Sequence, residues 1–219
     1  NIYIMINKYN LIIIILILLL LILIYRKKKI YKIEKFKNYF EKYKIKNQNL
    51  YFIHIPKNAG TYFCANFLEN KNKEPGHTKL KDYPINLHFL TVAIVRNPYD
   101  RIVSMYTYAK NWHKSPYYKK DNDHKHYFFA KENSFDKFVE YLYTSKISQD
   151  THTAKQSDYI IVNNKCPCKY VLRLEQLEKD IKEKLKFKNF PVKKVNSSSD
   201  NNWKKYYKNN NTKNMVYEM

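Results

Sequence analysis

The sequence predicts an α/β domain with a mostly parallel central sheet, and three observations support this prediction. Two short apolar runs, LYFIHI at 50–55 and LTVAIV at 90–95, each stop at a polar loop that leads into a helical pattern. The second run is continuously apolar, as in strands that are buried on both faces of a parallel sheet. A third run, KYVLR at 169–173, is again followed by a helical pattern. This alternation of strands and helices is typical of α/β domains.

The helices between and after these strands are predicted from apolar residues that share one face. The clearest helix start follows the second strand, where Asn97 suits the N-cap, Pro98 the first helical position and Asp100 the third. Asn133 or Ser134 is expected to cap a later helix. The residues expected on the apolar faces are Phe63, Cys64, Phe67 and Leu68, then Phe135, Phe138, Val139 and Leu142, and lastly Leu174, Leu177, Ile181 and Leu185. Residues 195–219 are polar and low in complexity, which predicts a loop with one short helix.

The first 49 residues predict a membrane anchor and a stem. After a short tail at 1–10, residues 11–25 are predicted to form a transmembrane signal anchor, because they are almost entirely hydrocarbon and no small-residue cleavage site follows. Residues 26–49 carry apolar side chains at helical spacing among charged ones, which predicts an amphipathic stem before a domain at 50–219. The basic cluster RKKK at 26–29 favours a cytosolic domain by the positive-inside tendency.

The composition says little about which kinds of partner the chain binds. The formal net charge of +22 would favour a polyanion as partner, but lysine, asparagine, isoleucine and tyrosine are abundant along the whole chain. A general compositional bias explains this, and no nucleic-acid partner is expected. The three cysteines, Cys64, Cys166 and Cys168, fit neither a disulfide scaffold nor a CxxC zinc site. The pair in KCPCK is either two half-buried thiols or part of a bridge, with Cys64 as one candidate partner.

The loop PKNAGT at 56–61 has the chemistry of an anion site. A strand that runs through a tight loop into a helix aims backbone N–H groups and the positive end of the helix dipole at one point. Ala59 and Gly60 are small enough to let an anion approach the backbone, and Thr61 can contact it through its hydroxyl and amide. Lys57 adds a full charge, but it precedes the glycine, which disfavours a Walker A loop. The alternative is a simple turn after a strand.

A second cluster of polar residues follows the next strand. Arg96 ends that strand, and Ser104 lies two helical turns beyond Asn97 on the same helix face. A guanidinium and a nearby hydroxyl can hold a phosphate by charge-assisted hydrogen bonds. The ordinary alternatives are a surface salt bridge for Arg96 and a space-filling role for Ser104. Two anion-binding units at neighbouring strand ends predict a ligand with two separated phosphates.

At these two motifs the chain resembles the membrane-anchored, Golgi-type carbohydrate sulfotransferases that use 3′-phosphoadenosine 5′-phosphosulfate (PAPS). FIHIPKNAGT is similar to their 5′-phosphosulfate loop and VRNPYDRIVSMY to their 3′-phosphate motif. GHTKL, SFDKFVEYL, HTAKQSDYI and CPCKYVLRLEQL have counterparts in the same order, over roughly 50–200. The resemblance implies a P-loop-like three-layer domain behind one transmembrane helix, PAPS as sulfate donor without a metal, and a glycan hydroxyl as acceptor. It also implies a Golgi or other secretory-pathway membrane with the catalytic domain in the lumen. This orientation is opposite to the one that the basic cluster RKKK favours.

The resemblance assigns the donor-binding roles residue by residue. Lys57 would neutralise the oxygen that bridges phosphate and sulfate as that bond breaks. Arg96 and Ser104 would bind the 3′-phosphate. The residues implied around the 5′-phosphate are Lys57, Asn58, Ala59, Gly60 and Thr61.

A general base must take the proton of the acceptor hydroxyl, and imidazole suits this task at neutral pH. His77 is the candidate, because it follows the only other glycine and matches a position where related enzymes place a histidine. A solvated loop histidine is the plain alternative. His152 is a second candidate for acceptor contact, and Glu175 for a structural role.

Two other function classes compete with the enzyme. One is a catalytically inactive protein that keeps the fold and binds nucleotide or glycan, which Tyr62 favours because it replaces a hydroxyl residue common in the related loops. The other is a basic, membrane-tethered module that binds polyanions without chemistry. Substitution of Lys57 or His77 is expected to abolish turnover only if the chain is an enzyme.

Overall fold

The computed structural model describes residues 15–28, 30–31, 34, 41–69, 76–83, 85–112, 125–145, 151–188 and 202–219. The chain divides into two compact units, Asn1–Lys42 and Tyr43–Met219. In the first unit, residues 15–28 form helix α1, and the predicted anchor at 11–25 begins outside the described residues. Among the helices that are described, none is both long enough and apolar enough to cross a membrane.

The second unit is built on a parallel sheet, as the sequence predicts. The described residues form three strands, β1 (Tyr51–Ile53), β2 (Thr91–Val95) and β3 (Tyr170–Arg173). Their order in the sheet is β1, β2, β3, and both pairings are parallel. The prediction of an α/β domain is therefore confirmed.

Both faces of this sheet are covered. In register, Phe52 lies beside Val92 and Ile94 beside Leu172. These four side chains are buried in one apolar cluster with residues of the helices that follow β1 and β3. Successive strand residues point to opposite faces, and Ile53 on the other face is also completely buried. The continuous apolar pattern of the strands follows from this burial.

Seven helices belong to the second unit as it is described. They are α2 (Gly60–Phe67), α3 (Pro98–Lys110), α4 (Lys125–Glu132), α5 (Phe135–Thr144), α6 (Ser157–Ile160), α7 (Leu177–Lys184) and α8 (Asn210–Glu218). Short 3₁₀ segments lie at Leu80–Asp82, Ile85–Leu90, Leu174–Gln176 and Trp203–Tyr206. The Asn97 side chain caps α3 by accepting a hydrogen bond from the Tyr99 N–H at 2.9 Å, as predicted. Ser134, rather than Asn133, is the N-cap of α5.

A second apolar cluster joins α3, α4, α5 and α8. The predicted face of α5 is buried there together with Val216 of α8. The segment before α8 also packs closely, since Tyr99 and Trp203 stack with 5.7 Å between ring centroids and the Tyr207 hydroxyl donates to the Tyr99 carbonyl at 2.9 Å. The C-terminal segment thus contains the predicted short helix, and Trp203, Tyr206 and Tyr207 before it are partly buried against the second cluster, whereas Tyr217 is exposed. Residues 195–201 lie outside the described residues.

The compact unit begins before Leu50. Tyr43 and Ile45, which the sequence analysis assigns to the stem, are completely buried. Ile45 donates to the Leu50 carbonyl at 2.8 Å, and Phe52 donates to the Tyr43 carbonyl at 2.8 Å. The chain therefore enters the domain through an antiparallel contact with β1. Alternating charged residues in this stretch hide the contact from a periodicity analysis.

Candidate functional site

The loop between β1 and α2 has the backbone of an anion site. Lys57 and Ala59 both have left-handed backbone conformations, with φ of 65° and 58°. Ala59 is the N-cap of α2, where no side chain accepts a capping hydrogen bond and no acidic residue occupies the first turn. The first N–H groups of this eight-residue helix thus lack a side-chain cap within the described structure. Free N–H groups and the helix dipole favour a negative ligand at this end.

Gly60 has a structural reason in addition to the close anion approach that the sequence predicts. Its φ is not positive, so a left-handed turn does not require glycine here. A Cβ atom at this position would lie 1.8 Å from Nε2 of His54. His54 is buried, and its ring contacts His77 with 4.4 Å between centroids. The missing side chain therefore makes room for a histidine that belongs to the site.

Arg96 connects the loop to α3. Its guanidinium donates to the Lys57 carbonyl through Nη1 at 3.1 Å and to Asp100 through Nε at 2.8 Å. A second contact of 2.8 Å joins Nη2 to the same carboxylate. Lys57 and Arg96, which the sequence predicts as partners in one site, are thus in direct contact. An incoming phosphate would share Arg96 with Asp100.

Arg101 is a second arginine that the sequence analysis missed. It is buried, and its guanidinium donates to the carbonyls of Pro56 at 3.1 Å, Ala154 at 2.9 Å and His152 at 3.2 Å. Helical spacing could have found it, because Arg101 and Ser104 are three residues apart on α3 and lie on one side of the helix. Arg101 clamps the anion loop against the 152–154 segment and adds a buried positive charge.

The charges around Lys57 are unbalanced. Burial, followed by the charges of Arg96 and Arg101, lowers the pKa of Lys57 to about 7. Arg96 holds both oxygens of Asp100, and the charge of Asp158 acts on Arg101, so two carboxylates face three cations among the described residues. A bound anion would relieve the repulsion among these three cations and restore the charge of Lys57.

Asn58, predicted to bind the ligand, has its amide nitrogen turned into the protein. That nitrogen donates to the Ile94 carbonyl at 2.8 Å and to Oε1 of Gln156 at 2.7 Å, while Asn58 Oδ1 is buried without a hydrogen-bond partner. Gln156 in turn bonds both backbone groups of Arg96, at 2.9 and 2.8 Å. Asn58 and Gln156 therefore fix the loop to the end of β2. Gln156 lies in the segment HTAKQSDYI, but its contact with Asn58 depends on tertiary structure and is not visible in the sequence pattern.

His77 lies at the same end of the sheet. Its Nδ1 is 3.1 Å from the His54 carbonyl, which can only accept, so the ring proton is assigned to Nδ1 and the lone pair to Nε2. Burial, and then the neighbouring His54 and His152, lower the pKa of His77 to about 3. His152 lies beside it, with 5.1 Å between ring centroids. A neutral imidazole with its Nε2 lone pair available has the form that a general base needs.

The predicted second phosphate site centres on the start of α3. Ser104 is buried on this helix, and Thr61 is half-buried at the start of α2. The Asn97 N–H donates to Oε1 of Glu175 at 2.5 Å, so Glu175 has the structural contact foreseen for it. The Asp100 carboxylate is thus bound to Arg96, and the Glu175 carboxylate is bound to the Asn97 N–H. A phosphate bound there would have to share or displace them.

The three cysteines are free thiols in the structure. Cys64 is buried in the cluster that contains α2, whereas Cys166 is exposed. Burial raises the pKa of the Cys168 thiol well above its ordinary value. Of the two alternatives for KCPCK, the structure has free thiols, but only Cys168 is half-buried, because Cys166 is exposed. Within the described part of the chain, no three or more His, Cys, Asp or Glu residues are grouped to hold a metal ion.

The comparisons with known proteins give one match. The model of the sulfotransferase family matches residues 43–218. No curated protein matches the chain, and no solved structure matches it. The matched range coincides with the second compact unit except for its last residue. The anion loop, the two arginines and the histidines all fall within it.

Proposed function

The chain belongs to the sulfotransferase family, and we propose that it transfers a sulfuryl group from PAPS to a hydroxyl of a glycan. The family generally uses PAPS as its sulfate donor. One observation carries the proposal: Lys57, Arg96 and Arg101 converge on a loop that ends at the uncapped N-terminus of α2. This arrangement has excess positive charge and a helix N-terminus without a side-chain cap, and a bound phosphate would satisfy both.

The residues present fit the donor. PAPS supplies an activated sulfuryl group whose leaving group is a phosphate. Gly60 and Thr61 would hold the 5′-phosphate at the start of α2 through their N–H groups. Lys57 would place its charge where negative charge develops on the leaving oxygen. Arg96, with Ser104, would bind the 3′-phosphate after exchanging part of its contact with Asp100.

His77 would act as the general base. Its Nε2 would accept the proton of the acceptor hydroxyl while Nδ1 stays hydrogen-bonded to the His54 carbonyl. The low pKa of His77 follows from burial and positive neighbours, and negative charge on a bound donor opposes the second cause. We therefore expect His77 to become a stronger base when the donor site is filled.

The glycan acceptor and the membrane location are further parts of this proposal. They are supported by the order of GHTKL, SFDKFVEYL and HTAKQSDYI, which resembles that of carbohydrate sulfotransferases, and by the apolar run at 11–25. We place the chain in a Golgi or other secretory-pathway membrane with its catalytic domain in the lumen.

The test is calorimetric binding of 3′-phosphoadenosine 5′-phosphate to the full chain. We expect Lys57→Ala and Arg96→Ala to weaken binding roughly tenfold to hundredfold, since a hydrogen bond to a charged group contributes about 1.5–3 kcal/mol. The matched control is Lys131→Ala, which removes an exposed helix lysine that pairs with Glu132. The control should bind like the wild type. A folded wild-type chain that does not bind would overturn the proposal.

Turnover separates an enzyme from an inactive binding protein. With labelled PAPS and a panel of glycans, the wild type should transfer label to at least one acceptor. His77→Ala should retain nucleotide binding and lose transfer, because His77 is assigned to the acceptor proton and not to the donor. Donor binding without transfer to any hydroxyl acceptor would favour the inactive, nucleotide-binding alternative.

A further inference from the structure

Tyr108 lies directly against the lysine of the anion loop. The Lys57 Nζ atom is 3.5 Å from the centroid of the Tyr108 ring. The other lysine–ring contacts in the described part of the chain are longer, from 5.4 to 6.0 Å. Cation–π attraction requires the cation to lie within about 6 Å of the ring centroid and strengthens when the pair is desolvated. The Lys57 contact is therefore the shortest of the described lysine–ring contacts.

Both partners of this contact are fixed by their surroundings. The backbone of Lys57 has a φ of 65°, and Arg96 holds its carbonyl at 3.1 Å. Tyr108 is on α3, where its ring contacts those of Trp112 at 5.4 Å and Tyr127 at 6.0 Å between centroids. The position of the amine over the ring thus follows from the loop and from an aromatic cluster, without freedom in either backbone.

We infer that Tyr108 is a positioning residue that holds the ammonium group of Lys57 over its ring in the donor-free protein, and that Lys57 leaves the ring for the anion when the donor binds. Arg96, Arg101 and His77 interact electrostatically with Lys57, and Asp100 lies behind them in an ion pair with Arg96. Asp100 is the negative group among them and pairs with Arg96, and in the described structure no carboxylate forms a salt bridge with Lys57. The electron-rich face of Tyr108 is therefore the attractive partner that the site provides.

The contact matters because Lys57 is divided between its charged and its neutral form near neutral pH. Burial and the two arginines lower the pKa of Lys57 to about 7, whereas an aromatic face favours the ammonium form. Loss of the ring would therefore leave a larger share of Lys57 neutral. A neutral amine attracts an arriving phosphate less than an ammonium group does, so Tyr108 would keep Lys57 charged in the donor-free protein until the bound donor takes over this role. This inference rests on the proposed role of Lys57.

The test measures the titration of Lys57 in the full chain without donor. Competitive acetylation with acetic anhydride across pH, with the Lys57 peptide quantified by mass spectrometry, gives its apparent pKa. We expect Tyr108→Leu to lower that pKa by about one unit, whereas Tyr108→Phe keeps the ring and should leave it within a few tenths of a unit. The matched control is Tyr141→Leu, which removes a ring that stacks on Phe129 at 4.1 Å in the same cluster. It should leave the Lys57 titration unchanged.

An equal Lys57 titration in wild type and folded Tyr108→Leu would overturn the inference, and so would an equal shift in Tyr108→Phe and Tyr108→Leu. A second measurement needs no change at Tyr108. In protein with ¹³C-labelled lysine, assigned with Lys57→Arg, the ε-CH₂ protons of Lys57 should resonate upfield because of the ring current. Addition of 3′-phosphoadenosine 5′-phosphate should remove this shift. An unshifted resonance in the donor-free protein would contradict the contact.

These outcomes are separable from the fate of the proposed function. The pKa and the ring-current shift are measured without nucleotide, so they support or contradict the Tyr108 contact even if the chain binds no donor. Conversely, the chain could bind the nucleotide and transfer sulfate while the ε-CH₂ protons of Lys57 show no ring-current shift in the donor-free protein. That result would preserve the proposed function and exclude a role for Tyr108 in it.

Discussion

At the scale of single residues, Gly60 shows how closely the backbone and the histidines of the site are coupled. A Cβ atom there would lie 1.8 Å from Nε2 and 1.9 Å from Cδ2 of His54. The His54 ring cannot move away freely, because it stacks on Phe52 and contacts His77. A side chain at position 60 would therefore disturb the start of α2 and the candidate base together.

The first prediction is that Gly60→Ala destabilises the protein by about 2–3 kcal/mol, the usual cost of overpacking a buried site. His54→Ala removes the ring that the new methyl group would strike. The double variant Gly60→Ala/His54→Ala should therefore be more stable than the sum of the two single changes predicts, by about 1 kcal/mol or more. Urea unfolding of the four proteins measures this coupling.

The control for that cycle is Gly76→Ala, at the other glycine of the chain, which is exposed. It should change the free energy of unfolding by less than about 0.5 kcal/mol. Strictly additive effects of the Gly60 and His54 substitutions would show that the His54 ring is not the obstacle.

At the scale of elements, α3 contributes Arg101, Ser104 and Tyr108 to the site and begins with a specific cap. Asn97 accepts from the Tyr99 N–H, Pro98 occupies the first turn, and Asp100 in that turn holds Arg96. The same helix bears Arg101 at the anion loop. The start of α3 therefore fixes two arginines relative to the loop.

The second prediction compares two N-caps. Asn97→Ala should lower the free energy of unfolding by about 1 kcal/mol, because it removes the side-chain acceptor for a helix N–H. Ser134→Ala is the matched control, since Ser134 caps α5 without a side-chain hydrogen bond. It should cost only a few tenths of a kcal/mol. Equal losses in urea unfolding would mean that the Asn97 bond contributes nothing.

The elements that the sequence predicts best are those with local signals. The cap of α3, the apolar runs of β1, β2 and β3 and the apolar face of α5 each depend on residues close together in the chain. The antiparallel contact of residues 43–45 with β1 and the packing of Trp203 on Tyr99 depend on distant partners. Periodicity cannot detect such partners, and the abundant lysine and asparagine hide the buried aromatic residues further.

Some residues of the candidate site likewise have a local signal in the sequence, and others depend on tertiary contacts. The strand, loop and helix order at 51–67 predicts an anion site with Lys57, and Arg96 follows from its place at the end of β2. Gln156 lies within the segment HTAKQSDYI, but the sequence does not show that its side chain reaches the loop, and Tyr108 lies outside the motifs quoted above. The left-handed conformations of Lys57 and Ala59 also have no local signal, because neither residue type favours them.

At the scale of the whole molecule, the chain combines a net charge of +22 with a site in which burial and like charges oppose further protonation. The general positive potential would attract anionic ligands of many kinds from solution. Binding at the site differs from this general attraction because a bound anion should change the protonation state of Lys57. Proton uptake therefore separates specific binding from the general attraction of a basic protein.

The third prediction is that 3′-phosphoadenosine 5′-phosphate binds at pH 8 with uptake of about one proton. In the free protein the pKa of Lys57 is about 7, so most Lys57 is neutral at that pH. A bound anion raises this pKa and charges the amine, so affinity should fall as the pH rises above about 7. His77 starts from a pKa of about 3 and should stay neutral. Calorimetry in buffers of different ionisation enthalpy counts the protons, with Lys57→Met expected to take up none and Lys131→Ala to match the wild type. Equal uptake by Lys57→Met and the wild type would assign the proton to another group.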